Sequence, residues 1–328
     1  VLSVEQSAIA EFSRVLAKAS KKPPVIWLQG QSCGGCTASF LGADYPSAAG
    51  LILDMISLRY QELLMGASGK EAEQELLEAV SAGEYLLVVE GCVPASDDRF
   101  CLISGKPFSR LLEEASKRAV HIIACGACAS YGGIPKAGPT GSTGMSGFLN
   151  RSDVVNLPTC PVHPDHLVAT IMHFLYYGYM PELDKFGRPE IFFKSTVHDS
   201  CERRVHFERS EFLKDWNDPL QKEWCLYLKG CKGTVAFADC SLRKWNGGMN
   251  WCVECGAGCQ GCSEPGFYEE MSPLFERLEE DFNADKIGAA VGLAASAGLA
   301  AHFIRRSLSV KRRKKEDGDA GDRSWEKE

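Results

Sequence analysis

Residues 24 to about 190 alternate short apolar runs with stretches of helical periodicity. VIWLQ (25–29), EYLLVVEG (84–91) and HIIACG (121–126) are apolar at nearly every position, the pattern of strands buried on both faces. Between them, GKEAEQELLEAVSAG (69–83) and KPFSRLLEEASKRA (106–119) repeat apolar residues at three- and four-residue intervals, as amphipathic helices do. This alternation predicts an α/β fold with a doubly wound parallel sheet. Ligands of such sheets bind in loops that leave the carboxyl ends of the strands. Here the first strand leads to Cys33 and Cys36, the second to Cys92, and the third to Cys128.

From about residue 191 the strand pattern fades. Eight cysteines fall between 191 and 270, among scattered Trp, Gly and Asn, with little apolar periodicity. A segment of that kind needs something besides a large core to hold it, and metal ligands serve. The expected organisation is an N-terminal helix or extension (1–23), a sheet domain (24–190), a cysteine-rich domain (191–283), and a C-terminal helix with a charged tail (284–328). The first 22 residues read as a short amphipathic helix. Residues 287–304 form an uncharged stretch of 18, IGAAVGLAASAGLAAHFI, roughly 27 Å long as a helix, with a GxxxG pair at Gly288 and Gly292. Seven basic residues follow within 11 positions, the flank expected on the cytoplasmic side of a membrane helix. An Ala-rich helix packed on a partner is the other reading, and His302 at its basic end is an interfacial histidine or a contact to a haem-bearing partner.

The net charge of −7 argues against nucleic-acid binding. Fifteen cysteines in 328 residues is an odd count and too sparse for a disulfide scaffold, and most lie in short C-x-x-C-like spacings. Metal coordination follows as the favoured use. A single C-x-x-C fits a redox dithiol, half a zinc site or half an iron–sulfur site. Three groups of candidate ligands narrow the choice. The first is Cys33, Cys36, Cys128 and Cys160; the second is His198, Cys201, Cys225 and Cys231. The third is Cys240, Cys259 and Cys262, with Cys252 and Cys255 between them. Cys92, Cys101 and Cys125 read as core thiols, and His121, His163, His166, His173 and His206 as structural or exposed. Glu90 reads as a carboxylate anchoring the first cysteine loop. GPTGSTG (138–144) lacks the G-K-[ST] of a phosphate loop and reads as a flexible connection.

Together these motifs resemble the small, electron-transferring subunit of the nickel–iron hydrogenases, including the nickel–iron–selenium branch. The resemblance spans about residues 24 to 270. It rests on the C-x-x-C opening, EG-x-x-P (Glu90, Gly91, Pro94), G-x-C-x-S-x-G-G around Cys128, C-P-x-x-P at Cys160, H-x-x-C at His198, C-x₅-C at Cys225, and W-N…W…C-x-x-C-S-E-P ending at Cys262. It implies a flavodoxin-like domain followed by an irregular cluster-bearing domain. The first ligand group would hold a proximal 4Fe–4S cluster, and the second a distal 4Fe–4S cluster with one His ligand. Cys240, Cys259 and Cys262 would hold the medial cluster. Many members have proline where this chain has Cys252, and a 3Fe–4S medial cluster. A thiolate at Cys252 implies a medial 4Fe–4S cluster, with Cys255 the rival fourth ligand. Oxygen-tolerant members add cysteines at positions matching Gly35 and Gly133, so glycine at both implies an ordinary proximal cubane. Thr159 replaces the family's usual glycine before Cys160.

The function implied is electron relay in a heterodimeric hydrogenase, an oxidoreductase interconverting H₂ with two protons and two electrons. The nickel site would lie on a separate large subunit, so no catalytic residue is expected here. The expected acceptor is a membrane cytochrome b or a multihaem cytochrome c. The expected location is the periplasmic face of the cytoplasmic membrane, with the tail cytoplasmic. Two other classes compete: a quinone-reductase-type iron–sulfur subunit of a respiratory complex, and a zinc-scaffolded interaction protein. The first shares only the proximal-type cluster domain, and the second would be colourless.

Overall fold

The computed structural model describes residues 22–268. Strands β1 (Pro24–Gln29), β2 (Ser57–Tyr60), β3 (Tyr85–Glu90), β4 (Ala119–Cys125) and β5 (Val154–Leu157) form one sheet in the order β2-β1-β3-β4-β5. Every pairing in it is parallel. The helices that position the site are α1 (Gly35–Leu41), α2 (Gly69–Ala82), α3 (Phe108–Ser116), α4 (Gly126–Tyr131) and α5 (Pro164–Tyr177).

Two cores, one on each face, explain the uninterrupted apolar runs. Val25, Trp27, Leu86, Val88 and Ile123 pack with Phe40 of α1 and Leu167, Val168 and Ile171 of α5. The alternate residues Ile26, Leu28, Leu87, Val89 and Ile122 pack with Leu76 and Ala79 of α2 and with Phe108 and Leu112 of α3. Each large side chain buried this way stabilises the fold by about 1.5–3 kcal/mol. The ends of α5 follow local rules: Pro164 opens it, Asp165 N–H donates to His163 Nδ1 at 3.2 Å, and Gly178 closes it at φ 76.

Strands β2 and β5 were not expected. Each is four residues long and lies at a sheet edge, and β2 buries only Tyr60 deeply. Strands this short leave little alternation to read. The 138–144 loop is not a loose connection either. Val93 and Thr143 exchange both backbone hydrogen bonds, at 3.0 and 2.9 Å, while Ala95 and Ser96 donate to the carbonyls of Gly141 and Thr140. The paired backbone holds the loop against the segment after β3.

Among the described residues beyond 190, the longest regular element is the five-residue helix Arg204–Glu208. A third core of Phe192, Phe193, Val197, Leu213, Leu226, Trp251 and Val253 forms here, with Cys201, Cys231 and Cys240 packed against it. Arg188 ties this segment to the loop at 184–188. Its guanidinium donates to Asp184 Oδ2 (2.7 Å), Ser263 O (3.0 Å) and Glu264 Oε1 (2.9 Å). The amphipathic opening segment and the apolar stretch 287–304 lie outside the described residues. Among the described residues, no helix is long and apolar enough to cross a membrane.

Candidate metal centres

The first cysteine group gathers at the carboxyl edge of the sheet, and Glu90 organises it. Glu90, the last residue of β3, is 1% exposed. Its Oε1 accepts from Ser32 Oγ (2.8 Å) and Cys36 N (3.1 Å). Its Oε2 accepts from Thr37 N (3.1 Å), Thr37 Oγ1 (2.5 Å) and Gln29 Nε2 (3.1 Å). One buried carboxylate therefore fixes the loop carrying Cys33 and Cys36, which is the anchoring use read from the sequence. Ala127 N–H donates to Thr159 O at 2.9 Å and Val162 N–H to Cys36 Sγ at 3.3 Å, tying the Cys128 and Cys160 loops to the same place.

Glycines leave room for the sulfurs. A Cβ on Gly126 would lie 2.4 Å from Cys36 Sγ, one on Gly133 3.0 Å from Cys128 Sγ, and one on Gly35 3.1 Å from Cys33 Sγ. Burial pushes the Cys128 thiol far above the usual range, and the neighbouring thiols of Cys92, Cys160, Cys36 and Cys33 push it further. Cys160 is pushed up to about 11 by burial, then by Cys36 and Cys33. All four members thus stand within electrostatic reach of one another. Cys33 and Cys160 remain exposed. Cys92 and Cys125 are wholly buried, as expected of core thiols. Even so, the Cys36 thiol acts on Cys125, and that of Cys92 on Cys128. The sequence signal for the first contact is the position of Cys125, the last residue of β4.

The second group lines a single pocket. His198, Cys201, Cys225 and Cys231 all stand on its wall, beside Arg203, Leu226, Trp251 and Val253. A capping box builds the His198 turn: Asp199 N–H donates to Thr196 Oγ1 (3.2 Å) and Thr196 N–H to Asp199 Oδ2 (2.8 Å). His198 N–H then donates to Gly233 O at 2.9 Å, next to the Cys231 loop. Burial, then the Arg204 charge, lowers His198, which favours the neutral imidazole that a metal requires. Burial pushes Cys201 and Cys225 up to about 12.

The third group lies between the other two. Burial drives Cys259 and Cys262 far above the usual range and Cys240 up to about 12. Cys252 acts on both Cys240 and Cys262, whereas Cys255 acts on Cys252. Contacts also run between the groups. Cys259 N–H donates to Cys231 Sγ at 3.2 Å, and Cys160 acts on Cys262 through both its backbone and its thiol. Beside this group His166 Nε2 and Asp239 Oδ1 are 2.7 Å apart, and His163 Nε2 is 2.5 Å from Lys244 O.

These donors fit iron–sulfur clusters. Thiolates are soft ligands, and buried thiols that resist ionisation together need a strongly cationic partner to deprotonate them. Among the described residues, no three His, Cys, Asp or Glu side chains close on one point as a single-ion site would. The second group stands instead around a cavity.

Residues 193–275 match the family of the C-terminal region of the NiFe/NiFeSe hydrogenase small subunit, and residues 33–174 match NADH ubiquinone oxidoreductase, 20 Kd subunit. The uptake hydrogenase small subunit of Azotobacter vinelandii is 39% identical over 293 residues, covering 86% of this chain and 82% of that relative. The quinone-reactive Ni/Fe-hydrogenase small chain of Wolinella succinogenes is 38% identical over 325 residues, covering 92% of this chain and 91% of its own length. Among solved structures, the Ni-Fe-Se hydrogenase of Desulfomicrobium baculatum superimposes with a TM-score of 0.73 at 35% identity, over 78% of this chain and 100% of that one.

Proposed function

The chain belongs to the family of NiFe/NiFeSe hydrogenase small subunits, and from that premise we propose that it relays electrons between a large-subunit nickel–iron site and an external acceptor. Cys33, Cys36, Cys128 and Cys160 are the ligands of a proximal 4Fe–4S cluster in this reading. Cys240, Cys252, Cys259 and Cys262 are the ligands of a medial 4Fe–4S cluster, and His198, Cys201, Cys225 and Cys231 those of a distal one. Iron–sulfur clusters supply one-electron transfer when bound. The chain's own residues do the rest: Glu90 holds the proximal loop, and the glycines admit the sulfurs.

The observation that carries this reading is the shared pocket of His198, Cys201, Cys225 and Cys231. Those residues lie up to 33 positions apart, yet they line one cavity. The sheet order β2-β1-β3-β4-β5 supports a flavodoxin-like first domain, and the third core supports a separate cluster-bearing segment. The exposure of Cys33 and Cys160 supports docking of the large subunit at the proximal edge. Attachment to a periplasmic membrane face through 287–304, with a cytochrome b or multihaem cytochrome c as acceptor, completes the proposal. The quinone-reactive name of the Wolinella relative supports the cytochrome b arm. The respiratory-complex alternative accounts for 33–174 but not for 193–275.

Purification of the chain with its partner tests the proposal. The expected complex is brown, absorbs broadly at about 400 nm, and holds about 12 cluster irons per small subunit. A colourless zinc protein without a nickel-bearing partner would overturn it.

A further inference from the structure

Arg203 stands on the wall of the pocket shared by His198, Cys201, Cys225 and Cys231. Its side chain is 8% exposed. Nη1 donates to Lys222 O at 2.8 Å and Trp224 O at 2.9 Å. Nη2 lies 3.8 Å from Glu223 Oε2, but Glu223 is 84% exposed, so water screens that pair. Nε is buried and has no acceptor, the only arginine nitrogen in that condition among the described residues.

An unpaired donor on a buried cation is costly, and native proteins retain few of them. The two carbonyl bonds from Nη1 fix the guanidinium plane, so the unpaired Nε–H is held, not free to turn to solvent. The wall beside it carries three cysteine sulfurs, the His198 imidazole and apolar side chains. A sulfur acceptor inside the pocket would satisfy it.

We propose that the Nε–H of Arg203 donates a hydrogen bond to a sulfur of the distal iron–sulfur cluster and makes Arg203 a positioning residue that sets the potential of the electron exit. This rests on the assignment of the distal cluster to His198, Cys201, Cys225 and Cys231. A fixed positive charge and a charge-assisted hydrogen bond both favour the more negative, reduced state of a cluster, so both raise its potential. The neutral His198 ligand and the Cys259 N–H on Cys231 act in the same direction. The distal site then accepts an electron from the medial site more readily than thiolate ligands alone would allow. Lysine could keep the charge but not the plane fixed by two carbonyls, which makes the residue type specific.

The test uses the complete heterodimer. Arg203→Met and Arg203→Lys are compared with wild type for iron content, and the distal cluster is titrated by EPR. Wild-type protein labelled with ¹⁵N-arginine is also measured by pulsed EPR of the reduced distal cluster. In Arg203→Met the expected result is full iron content with the one-electron equilibrium moved at least tenfold toward the oxidised cluster, 59 mV at n = 1. Arg203→Lys shifts it less. A ¹⁵N coupling is expected in wild type and absent in Arg203→Lys. An unchanged potential and no ¹⁵N coupling would overturn the proposal and leave Arg203 as a structural bolt. If Arg203→Met does not fold, the wild-type coupling alone decides. Cys225→Ser separates the premise from the proposal. Loss of about four irons upholds the distal assignment whatever Arg203 does. Unchanged iron and spectra would remove the distal cluster, and the role of Arg203 with it.

Discussion

The backbone N–H of Cys259 donates to the Sγ of Cys231 at 3.2 Å, and the next residue along, Lys232, returns a 2.7 Å bond from its N–H to Cys259 O. This reciprocal clamp joins the second and third ligand groups directly. Gly258 permits it, because a Cβ there would sit 2.9 Å from both Cα and Cβ of Cys231. Gly258→Ala should therefore part the two loops, costing about 1–3 kcal/mol of stability through overpacking. Losing the N–H bond to sulfur should also lower the distal potential. Thermal unfolding and an EPR titration read both effects. Gly66→Ala, which meets nothing within 4 Å, is the neutral control.

Glu90 supports a second prediction. Five donors converge on its carboxylate, three of them from residues 36 and 37. Glu90→Gln keeps the shape but turns one acceptor into a donor, leaving buried N–H or O–H groups unpaired at about 1–3 kcal/mol each. The variant should lose proximal-cluster iron before the other two clusters. Iron analysis with EPR of each cluster checks it, and retention of the proximal signal would show that the loop holds without the anchor.

How much of this was legible in the chain depends on the range of the interaction. Strands β1, β3 and β4 could be read because both faces are buried, so Leu87 and Val88 are both apolar although they face opposite cores. The helix over 69–82 showed its own periodicity. Strands β2 and β5 hid because four residues at an edge carry almost no pattern. The ligand spacings were visible, and the resemblance grouped them. The bond from Cys36 N–H to Glu90 spans 54 positions, and that from Cys259 N–H to Cys231 spans 28. Nothing local marks either one. Arg203 was overlooked for the same reason, since only the folded pocket leaves its Nε without an acceptor.

Acid should weaken the junction beside the third ligand group. His163 is 3% exposed, and burial, then repulsion from His166, holds its pKa down to about 4. An unfolded histidine titrates at about 6.5. Between these values the unfolded chain binds a proton that the native chain refuses, so stability falls as pH drops through about 6.5 toward 4. The full contribution is present above about pH 6.5 and is about 3 kcal/mol. Denaturant unfolding at pH 7 and pH 5 should show a larger acid loss for wild type than for His163→Gln. Equal losses would place the titrating group elsewhere.

Cys252 and Cys255 divide sharply as candidates for the fourth medial ligand. Both are exposed, and both lie in the turn where Cys255 N–H donates to Trp251 O at 3.0 Å and Ala257 N–H to Cys252 O at 2.9 Å. The charge of Cys252 reaches Cys240 and Cys262, whereas that of Cys255 reaches Cys252. Cys252 is therefore the stronger candidate to complete the medial site. Cys252→Ser should cost about one iron per chain and produce an oxidised 3Fe–4S EPR signal from the medial site. Cys255→Ser should leave iron content and spectrum unchanged. The reverse outcome would make Cys255 the ligand, and the turn would then have to rotate to bring it forward. A 3Fe–4S signal already present in freshly prepared wild type would instead mean that neither thiolate binds.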